Sequence, residues 1–386
     1  MDYLKRTYAK INLDSLKFNA QSYLSALPSE TKLMCVVKAN AYGHGVKAVT
    51  SCLQDELGVR WFGVSNIDEA IELRENGILG DILILGCTPP SQADRLIEYD
   101  ITQACFDLSY AGQLSKASDG YGKVKVHIKL DTGMSRIGIP CDDIKAAAAQ
   151  AEEMYNLDGI MPTGIFTHLC VADSDKEDNI RFTQRQINRI KSVCEILTAD
   201  GYDIGVCHWL NSAGGVYTHY SGSKLARLGI ILYGLYPNHH LEVPVKMKPV
   251  MELVSTVSMV KKIKKGTDIG YGRTFTADRD MSIATIAAGY ADGYPRLLSN
   301  KGEVLINGKR CKIVGNVCMD QFMADITGVK VKPGDEAVLI GRMGDEEITA
   351  DDIADICHTI GYEIVCGITK RVPRVIIKDG KETGIE

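Results

Sequence analysis

The sequence contains twelve cysteines but lacks any Cys-x-x-Cys pair. Zinc-binding motifs and disulfide frameworks both depend on cysteines at characteristic spacings. Because these cysteines are scattered singly, we expect them to be reduced and mostly buried as small apolar residues. The cysteine pattern therefore predicts neither a metal site nor a disulfide framework.

Long apolar runs and an excess of positive charge are also missing. No run approaches the roughly 20 apolar residues that span a bilayer, and residues Met1 to Arg6 lack the apolar core of a signal peptide. The net charge of −5 argues against binding to nucleic acid or to an anionic membrane. We therefore expect a cytoplasmic protein that binds a small molecule, with no nucleic-acid or membrane partner.

At 386 residues the chain is too long for one typical domain, which predicts two. The first part carries eight short runs typical of β-strands. These runs are Leu33 to Lys38, Trp61 to Ser65, Ile82 to Gly86, Thr102 to Phe106, Val124 to Leu130, Gly164 to His168, Val206 to Leu210 and Arg227 to Leu232.

Amphipathic helical patterns separate most of these runs, for example Ile67 to Glu75, Ile144 to Met154 and Asn179 to Leu197. Eight alternating strands and helices predict a TIM-type (β/α)8 barrel over residues 1–240. Active sites of such barrels lie at the carboxyl ends of the strands. Polar residues occupy those ends here, namely Lys38, Lys129, Asp131, Arg136, His168, Asn211, Ser212 and Arg227.

After Pro237 the pattern changes, because helical periodicity becomes scarce. Short strand runs joined by Gly and Asp turns take over, at Leu253 to Val260, Ile283 to Ala287, Lys312 to Val314 and Ala337 to Ile340. One late helix is predicted from Ala350 to Ile360. Residues 241–386 are therefore expected to form a smaller, mostly β domain.

Lys38 is the most suggestive single residue. It follows an apolar, β-favouring run and precedes a turn of small residues, which places it at the carboxyl end of a buried strand. A lysine in that position is a candidate nucleophilic amine, although most lysines at strand ends simply reach water. The local pattern leaves both readings open.

The segment Val36 to Gly45 resembles the pyridoxal-phosphate lysine motif of the alanine racemase family, and the resemblance extends over nearly the whole chain. The further matching segments are Lys129 to Gly138, Phe166 to His168, Asn211 to Ser212, Arg227 to Ile230, Tyr233 to Gly234, Gly270 to Thr274, Gly289 to Tyr294, Val317 to Gln321 and Arg371 to Arg374. Their order and spacing across both predicted domains make the resemblance specific.

This resemblance implies a racemase that uses pyridoxal 5′-phosphate. Racemisation removes a proton from one face of the α-carbon and returns it to the other, so it needs two acid/base groups. The resemblance assigns these roles to Lys38 and Tyr271. In this family the tyrosine reaches the barrel of the other subunit, which implies a homodimer with shared active sites.

The resemblance also assigns the binding groups. Arg227 faces the pyridine nitrogen of the cofactor with His168 as its neighbour, and Lys129 corresponds to a lysine that is often carbamylated in this family. Tyr42, Ser212, Gly229 and Ile230 match the phosphate site, while Arg136 and Met319 are expected to bind the substrate carboxylate.

Two positions depart from the family pattern. Lys370 stands where many members have a tyrosine that contacts the phosphate, and we expect this lysine to bind the phosphate as a point charge. Asn316 replaces a common arginine of the pocket entrance. Alanine is the expected substrate, with serine or broad specificity as the alternative. A barrel-fold decarboxylase is disfavoured by Arg227. A non-catalytic pyridoxal-phosphate carrier is disfavoured by the second domain.

Overall fold

The computed structural model describes residues 6–217, 221–242 and 244–386. These residues form a parallel β-barrel surrounded by helices and a second, mostly β domain, which confirms the predicted fold class. A contiguous apolar core runs through both domains. The predicted boundary between residues 240 and 241 stays a prediction.

The first strand, β1 (Thr7–Asn12), does not belong to the barrel. It pairs antiparallel with one strand of the second domain and parallel with another. Helix α1 (Leu13–Ser25) then begins at Asn12, whose side chain accepts a hydrogen bond from the N–H of Ser15 at 3.0 Å. The sequence did not predict β1, because its pairing partners lie more than 200 positions away along the chain.

Eight parallel strands form the barrel, and each overlaps one predicted run, although most of the eighth run, Arg227 to Leu232, lies beyond its strand and enters a 3₁₀ helix. They are β2 (Lys32–Val36), β3 (Trp61–Val64), β4 (Asp81–Ile84), β5 (Thr102–Cys105), β6 (Val124–Asp131), β8 (Ile160–Phe166), β9 (Val206–His208) and β10 (Leu225–Leu228), while the short β7 (Ile139–Pro140) pairs only with β6. The strands neighbour one another in chain order, and β10 returns to β2. A parallel bridge between Leu210 and Ala226 closes the ring.

Helices follow the barrel strands and include the three predicted ones. Their bounds are α2 (Lys38–Tyr42), α3 (Val46–Leu57), α4 (Ile67–Glu75), α5 (Ala93–Glu98), α6 (Leu108–Ala117), α7 (Ile144–Tyr155), α8 (Glu177–Ala199) and α9 (Ser212–Tyr217), of which α2 is a short turn at the mouth of the barrel. In α8 the buried face includes Ile187, Ile190 and Val193, at the spacing expected of an amphipathic helix. No helix in the described part of the chain is long and apolar enough to cross a membrane.

The second domain consists of mainly antiparallel strands. These are β11 (Met251–Ile263), β12 (Asp268–Ile269), β13 (Phe275–Thr276), β14 (Met281–Ile286), β15 (Glu303–Ile306), β16 (Lys309–Lys312), β17 (Phe322–Asp325), β18 (Glu336–Met343), β19 (Glu346–Ile348), β20 (Arg374–Lys378) and β21 (Lys381–Ile385). β12 and β13 pair with each other in a separate two-stranded sheet, and the others belong to one large sheet with β1. The predicted late helix is shorter than expected: α10 (Ala350–Cys357) ends at His358, which adopts φ 56°, and α11 (Gly361–Cys366) follows.

The end of the chain contacts the barrel beside the first barrel strand. The buried Arg374 of β20 donates from Nε to the carbonyl oxygen of Gly43 at 2.9 Å. The Glu386 carboxylate accepts hydrogen bonds from the N–H groups of Lys47 and Ala48, in the first turn of α3, at 3.1 and 2.9 Å. The second domain therefore supports the segment that follows Lys38.

Candidate active site

Lys38 opens α2, which is a left-handed turn rather than an ordinary helix. Ala39, Asn40, Ala41 and Tyr42 have φ values of 51–54°. Left-handed backbone costs an L-residue roughly 1–2 kcal/mol, so four such residues in a row persist only where their surroundings enforce them. Strain of this kind is concentrated at functional sites.

Hydrogen bonds enforce the turn. Asn40 Oδ1 accepts from the N–H of Val46 at 2.8 Å, and the buried His44 donates from Nδ1 to the carbonyl oxygen of Tyr42 at 2.9 Å. Burial lowers the pKa of His44 to about 4, so its imidazole stays neutral. The turn leaves Lys38 half-buried at the mouth of the barrel, as the sequence predicted for its position.

Tyr42, Ser212 and Gly229 form a small polar cradle. The N–H of Gly229 donates to Ser212 Oγ at 2.8 Å. A Cβ atom at Gly229 would lie 3.0 Å from Tyr42 Oη and 3.5 Å from Ser212 Oγ. Burial raises the pKa of Tyr42, so its hydroxyl keeps its proton and can donate. Ile230 begins a short 3₁₀ helix directly after this glycine.

Two hydroxyls and backbone N–H groups around a glycine suit the oxygen atoms of a phosphate group. The residues present therefore fit the phosphate of pyridoxal 5′-phosphate. The cradle lies at the ends of strands seven and eight of the barrel, where TIM barrels frequently bind phosphate.

Arg227 lies at the end of β10 and is only 3% exposed. Its NH1 atom is 2.8 Å from His208 Nδ1, and its NH2 atom is 2.8 Å from the carbonyl oxygen of Thr167 and 3.4 Å from His168 Nδ1. NH2 also donates to the carbonyl oxygen of Trp209 at 3.1 Å. A guanidinium has five N–H donors, so at least one remains for a ligand.

His208 and His127 extend this network into the barrel. A guanidinium can only donate, so His208 Nδ1 is the acceptor and the His208 proton lies on Nε2. That N–H then donates to His127 Nδ1 at 3.0 Å. Burial, followed by the charge of Arg227, lowers the pKa of His208 far below its usual range and that of His127 to about 3. Two neutral imidazoles therefore support a charged arginine.

Burial lowers the pKa of Arg227 itself to about 10, which leaves it protonated at neutral pH. Sequence reasoning assigned its support to His168 alone and missed His127 and His208. A signal was present, because His127 lies two residues before Lys129 on β6 and therefore shares its face of the strand.

Lys129 is buried at the end of β6. Its ammonium nitrogen is 3.1 Å from the carbonyl oxygen of Leu130 and 5.0 Å from the centre of the Phe166 ring. Burial, together with the positive charges of Arg227 and Arg136, lowers the pKa of Lys129 to about 7. A substantial fraction of this lysine is therefore an uncharged amine at neutral pH. Arg136 is exposed at the same mouth.

Two of the predicted site residues in the second domain, Tyr271 and Met319, lie on the surface. Tyr271 is 75% exposed and Met319 is 53% exposed. Among the residues that the structure describes, neither side chain has a hydrogen-bond partner in the barrel. A cavity of about 470 Å³ beside Tyr271 is lined only by second-domain residues, which include Cys318 and Gln321. One chain alone therefore does not bring Tyr271 to Lys38.

The loops that carry these residues are nevertheless well supported. Asn316 donates from Nδ2 to the carbonyl oxygen of Tyr271 at 2.7 Å, and the N–H of Ala291 donates to the carbonyl oxygen of Met319 at 3.0 Å. Lys370 is exposed in the turn before β20. Asn316, one of the two departures from the family pattern, thus contacts the backbone of Tyr271 directly.

Models of two protein families match the chain. The alanine racemase N-terminal domain matches residues 11–237, and the alanine racemase C-terminal domain matches residues 250–376. The chain belongs to the alanine racemase family. This family depends on pyridoxal 5′-phosphate, so the predicted cofactor is confirmed and agrees with the phosphate cradle.

Individual members of the family are similar over their full length. Alanine racemase 2 of Caldanaerobacter subterraneus is 41% identical over 382 residues, covering 98% of this chain and 97% of the relative. The alanine racemase of Clostridium novyi is 42% identical, with 98% and 97% covered. The crystal structure of alanine racemase from Bacillus anthracis with bound L-Ala-P is 34% identical, has a TM-score of 0.93, and covers 100% of this chain and 98% of that chain.

Proposed function

We propose that this chain interconverts L-alanine and D-alanine with pyridoxal 5′-phosphate as cofactor, and so supplies D-alanine for peptidoglycan. The observation that carries the proposal is the arrangement of the barrel mouth. A phosphate cradle, a buried arginine with a free donor, and a lysine on a strained turn lie at the ends of neighbouring strands. The full-length similarity to alanine racemases supports the choice of substrate.

The cofactor supplies an electron sink that makes the α-proton of a bound amino acid acidic. Arg227 faces the pyridine nitrogen in this proposal and donates a hydrogen bond without giving up its proton, because its pKa stays near 10 and its neighbours are neutral imidazoles. Such a partner moderates the electron sink. It thereby disfavours decarboxylation and transamination, which an acidic partner would promote.

Lys38 and Tyr271 are the proposed acid/base pair. Lys38 would hold the cofactor in the resting protein, and as a free amine it would take the α-proton of D-alanine on one face. Tyr271 takes the α-proton of L-alanine on the opposite face. Since the two side chains belong to different domains, they can approach the α-carbon of the substrate from opposite faces.

The substrate carboxylate is assigned to Arg136 and to the backbone N–H of Met319. Arg136 offers a planar fork of donors that matches a carboxylate. A carbamylated Lys129 would be an anion close to two arginines, whereas a protonated Lys129 repels them. The lowered pKa of Lys129 supports this modification, because only the neutral amine reacts with carbon dioxide.

We further propose a homodimer in which Tyr271 and Met319 complete the active site of the other subunit. Their exposure and the absence of barrel residues from the neighbouring cavity support this arrangement. Free cysteines along the described chain support a reducing, cytoplasmic location.

Serine is the alternative substrate, because Asn316 departs from the family pattern at the pocket entrance. Through its hydrogen bond to Tyr271 this residue helps to set the position of the second base. Lys370 also affects which substrate fits, since a lysine can pair with the phosphate as a point charge but does not fill the space of a tyrosine. A difference of one hydroxyl group in a small pocket is worth only about 1–3 kcal/mol.

The test is a chiral assay of the purified protein with L-alanine and L-serine. We expect kcat/KM for L-alanine to exceed that for L-serine, and borohydride reduction to attach the cofactor to the peptide that contains Lys38. A preference for serine would overturn the substrate and keep the chemistry. A protein that takes up no pyridoxal phosphate would overturn the whole proposal.

A further inference from the structure

Three side chains that can ligate a metal lie close together, away from the barrel mouth. They belong to His239, His240 and Asp355. One nitrogen of each imidazole and one carboxylate oxygen lie within 4.8 Å of one another. The two histidines belong to the connection that leaves the barrel, and Asp355 lies on α10 of the second domain. The cluster therefore joins the interdomain connection to the second domain.

The geometry is close to that of a zinc site. Ligand bonds of about 2.0–2.1 Å in a tetrahedron place ligand atoms roughly 3.3 Å apart. His239 Nε2 and Asp355 Oδ1 are already 3.0 Å apart. The nitrogen of His240 needs to move by at most about 1.5 Å, which side-chain rotation of this exposed residue can supply.

The backbone beneath the cluster is fixed. Asn238 accepts a hydrogen bond from the N–H of His240 on its Oδ1 atom at 3.0 Å, and its Nδ2 atom donates to the carbonyl oxygen of Asp173 at 3.0 Å. On the other side, the capping box of Thr349 and Asp352 fixes the start of α10. Fixed supports reduce the entropy that ligands lose when an ion binds.

Charge and access also suit a cation. Asp351 lies one helical turn before Asp355, and its carboxyl interacts electrostatically with His239. The two imidazoles line an open groove of about 580 Å³, so a water molecule can complete the coordination. Two imidazoles, one carboxylate and one water form a ligand set that zinc accepts.

We propose that His239, His240 and Asp355 bind one zinc ion, which fastens the interdomain connection to α10. The ion takes no part in racemisation, because none of its ligands belongs to the proposed catalytic or cofactor site. Its effect is on stability: an ion that binds only the folded chain raises the midpoint of thermal unfolding.

Isothermal titration of the EDTA-treated holoenzyme with ZnCl₂ tests the proposal. We compare the unaltered chain with His240→Ala and Asp355→Asn, which each remove one ligand. The matched control is His358→Asn, since His358 is an exposed histidine at the end of the same helix and asparagine tolerates its left-handed backbone. The unaltered chain and the control should bind one zinc ion that each ligand variant binds at least about tenfold more weakly.

Thermal unfolding and Co²⁺ spectra separate this site from zinc binding by cysteine. Zinc should raise the unfolding midpoint of the unaltered chain and the control but not of the ligand variants, with racemase activity unchanged in all four. Bound Co²⁺ should show no thiolate charge-transfer band. Equal zinc affinity in all variants, or a thiolate band that titrates with the first ion, would assign binding to cysteines and overturn the proposal.

Discussion

The barrel and the second domain supply the proposed active site in opposite ways. Arg227 at the barrel mouth is 3% exposed and bonds to four neighbouring residues, whereas Tyr271 in the second domain is 75% exposed. The barrel therefore builds the cofactor site from within one chain. In the second domain a hydrogen bond holds the backbone of Tyr271, while its side chain stays exposed. This exposed side chain is the part that we propose another subunit covers.

Mixed dimers give the strongest test of this difference. Lys38→Ala and Tyr271→Phe should each lose nearly all activity alone, because each removes one of the two bases. If the sites are shared, a mixed dimer contains one site with both bases intact. One of the two sites of each mixed dimer then works, so a sample that contains only mixed dimers should regain roughly half of the activity of the unaltered protein.

Two chains with different affinity tags, co-expressed and purified through both tags, provide these dimers. Dimers of Lys38→Ala with Lys38→Ala, prepared in the same way, are the control and should stay inactive. Recovery in the mixed sample alone supports shared sites. Mixed dimers without activity would place both bases of a site in the same chain.

The variant Tyr271→Phe alone tests whether this exposed side chain acts as the second base. Racemisation should fall by about 10²–10⁴-fold, equally in both directions because L- and D-alanine have the same free energy, while cofactor binding is retained. Lys38 should still exchange the α-hydrogen of D-alanine with deuterated water, whereas exchange from L-alanine should be lost.

Nuclear magnetic resonance of the recovered amino acids measures that exchange. Tyr121→Phe, at an exposed tyrosine in the turn before β6, is the matched control and should behave as the unaltered chain. Equal exchange from both enantiomers in Tyr271→Phe would remove its assigned role.

A smaller effect is expected at the phosphate cradle. In Gly229→Ala the new methyl group would lie 3.0 Å from Tyr42 Oη, so the hydroxyl has to shift by a few tenths of an ångström and its hydrogen bond to the phosphate is weakened. The loss of one hydrogen bond is worth about 1 kcal/mol, and the dissociation constant of the cofactor should rise roughly 5–10-fold.

Titration of the apoprotein with pyridoxal phosphate, followed by absorbance, gives that constant. Gly112→Ala serves as the control, because a Cβ atom at this helical glycine meets no neighbour within 4 Å. Unchanged affinity in Gly229→Ala would show that the cradle does not hold the phosphate.

The sequence predicted the barrel well because short apolar runs alternate with amphipathic helical patterns along residues 1–240. It could not predict the left-handed turn after Lys38, since alanine and tyrosine rarely adopt that backbone and one asparagine, which tolerates it, does not indicate four such residues in a row. Nor could it place β1 in the second sheet or join His208 to His127, because both depend on pairings between residues far apart in the chain. For the same reason, the sequence could not predict that His239, His240 and Asp355 lie close together.

The last expected effect concerns stability rather than activity, and it follows from the lowered pKa of Lys129. Its pKa is about 7 in the folded chain against 10.5 for an ordinary lysine, so the unfolded chain binds more protons between these values. Stability should therefore rise as pH increases from 7 toward 10.5. Urea unfolding of the unaltered chain in bicarbonate-free buffer should gain about 1–2 kcal/mol more between pH 7 and pH 9 than that of Lys129→Gln. Bicarbonate should then add the mass of one carbon dioxide to the peptide that contains Lys129. Parallel pH profiles for the two proteins would mean that burial does not hold this amine neutral, and Lys129 would then be a cation beside Arg227 and Arg136 at neutral pH.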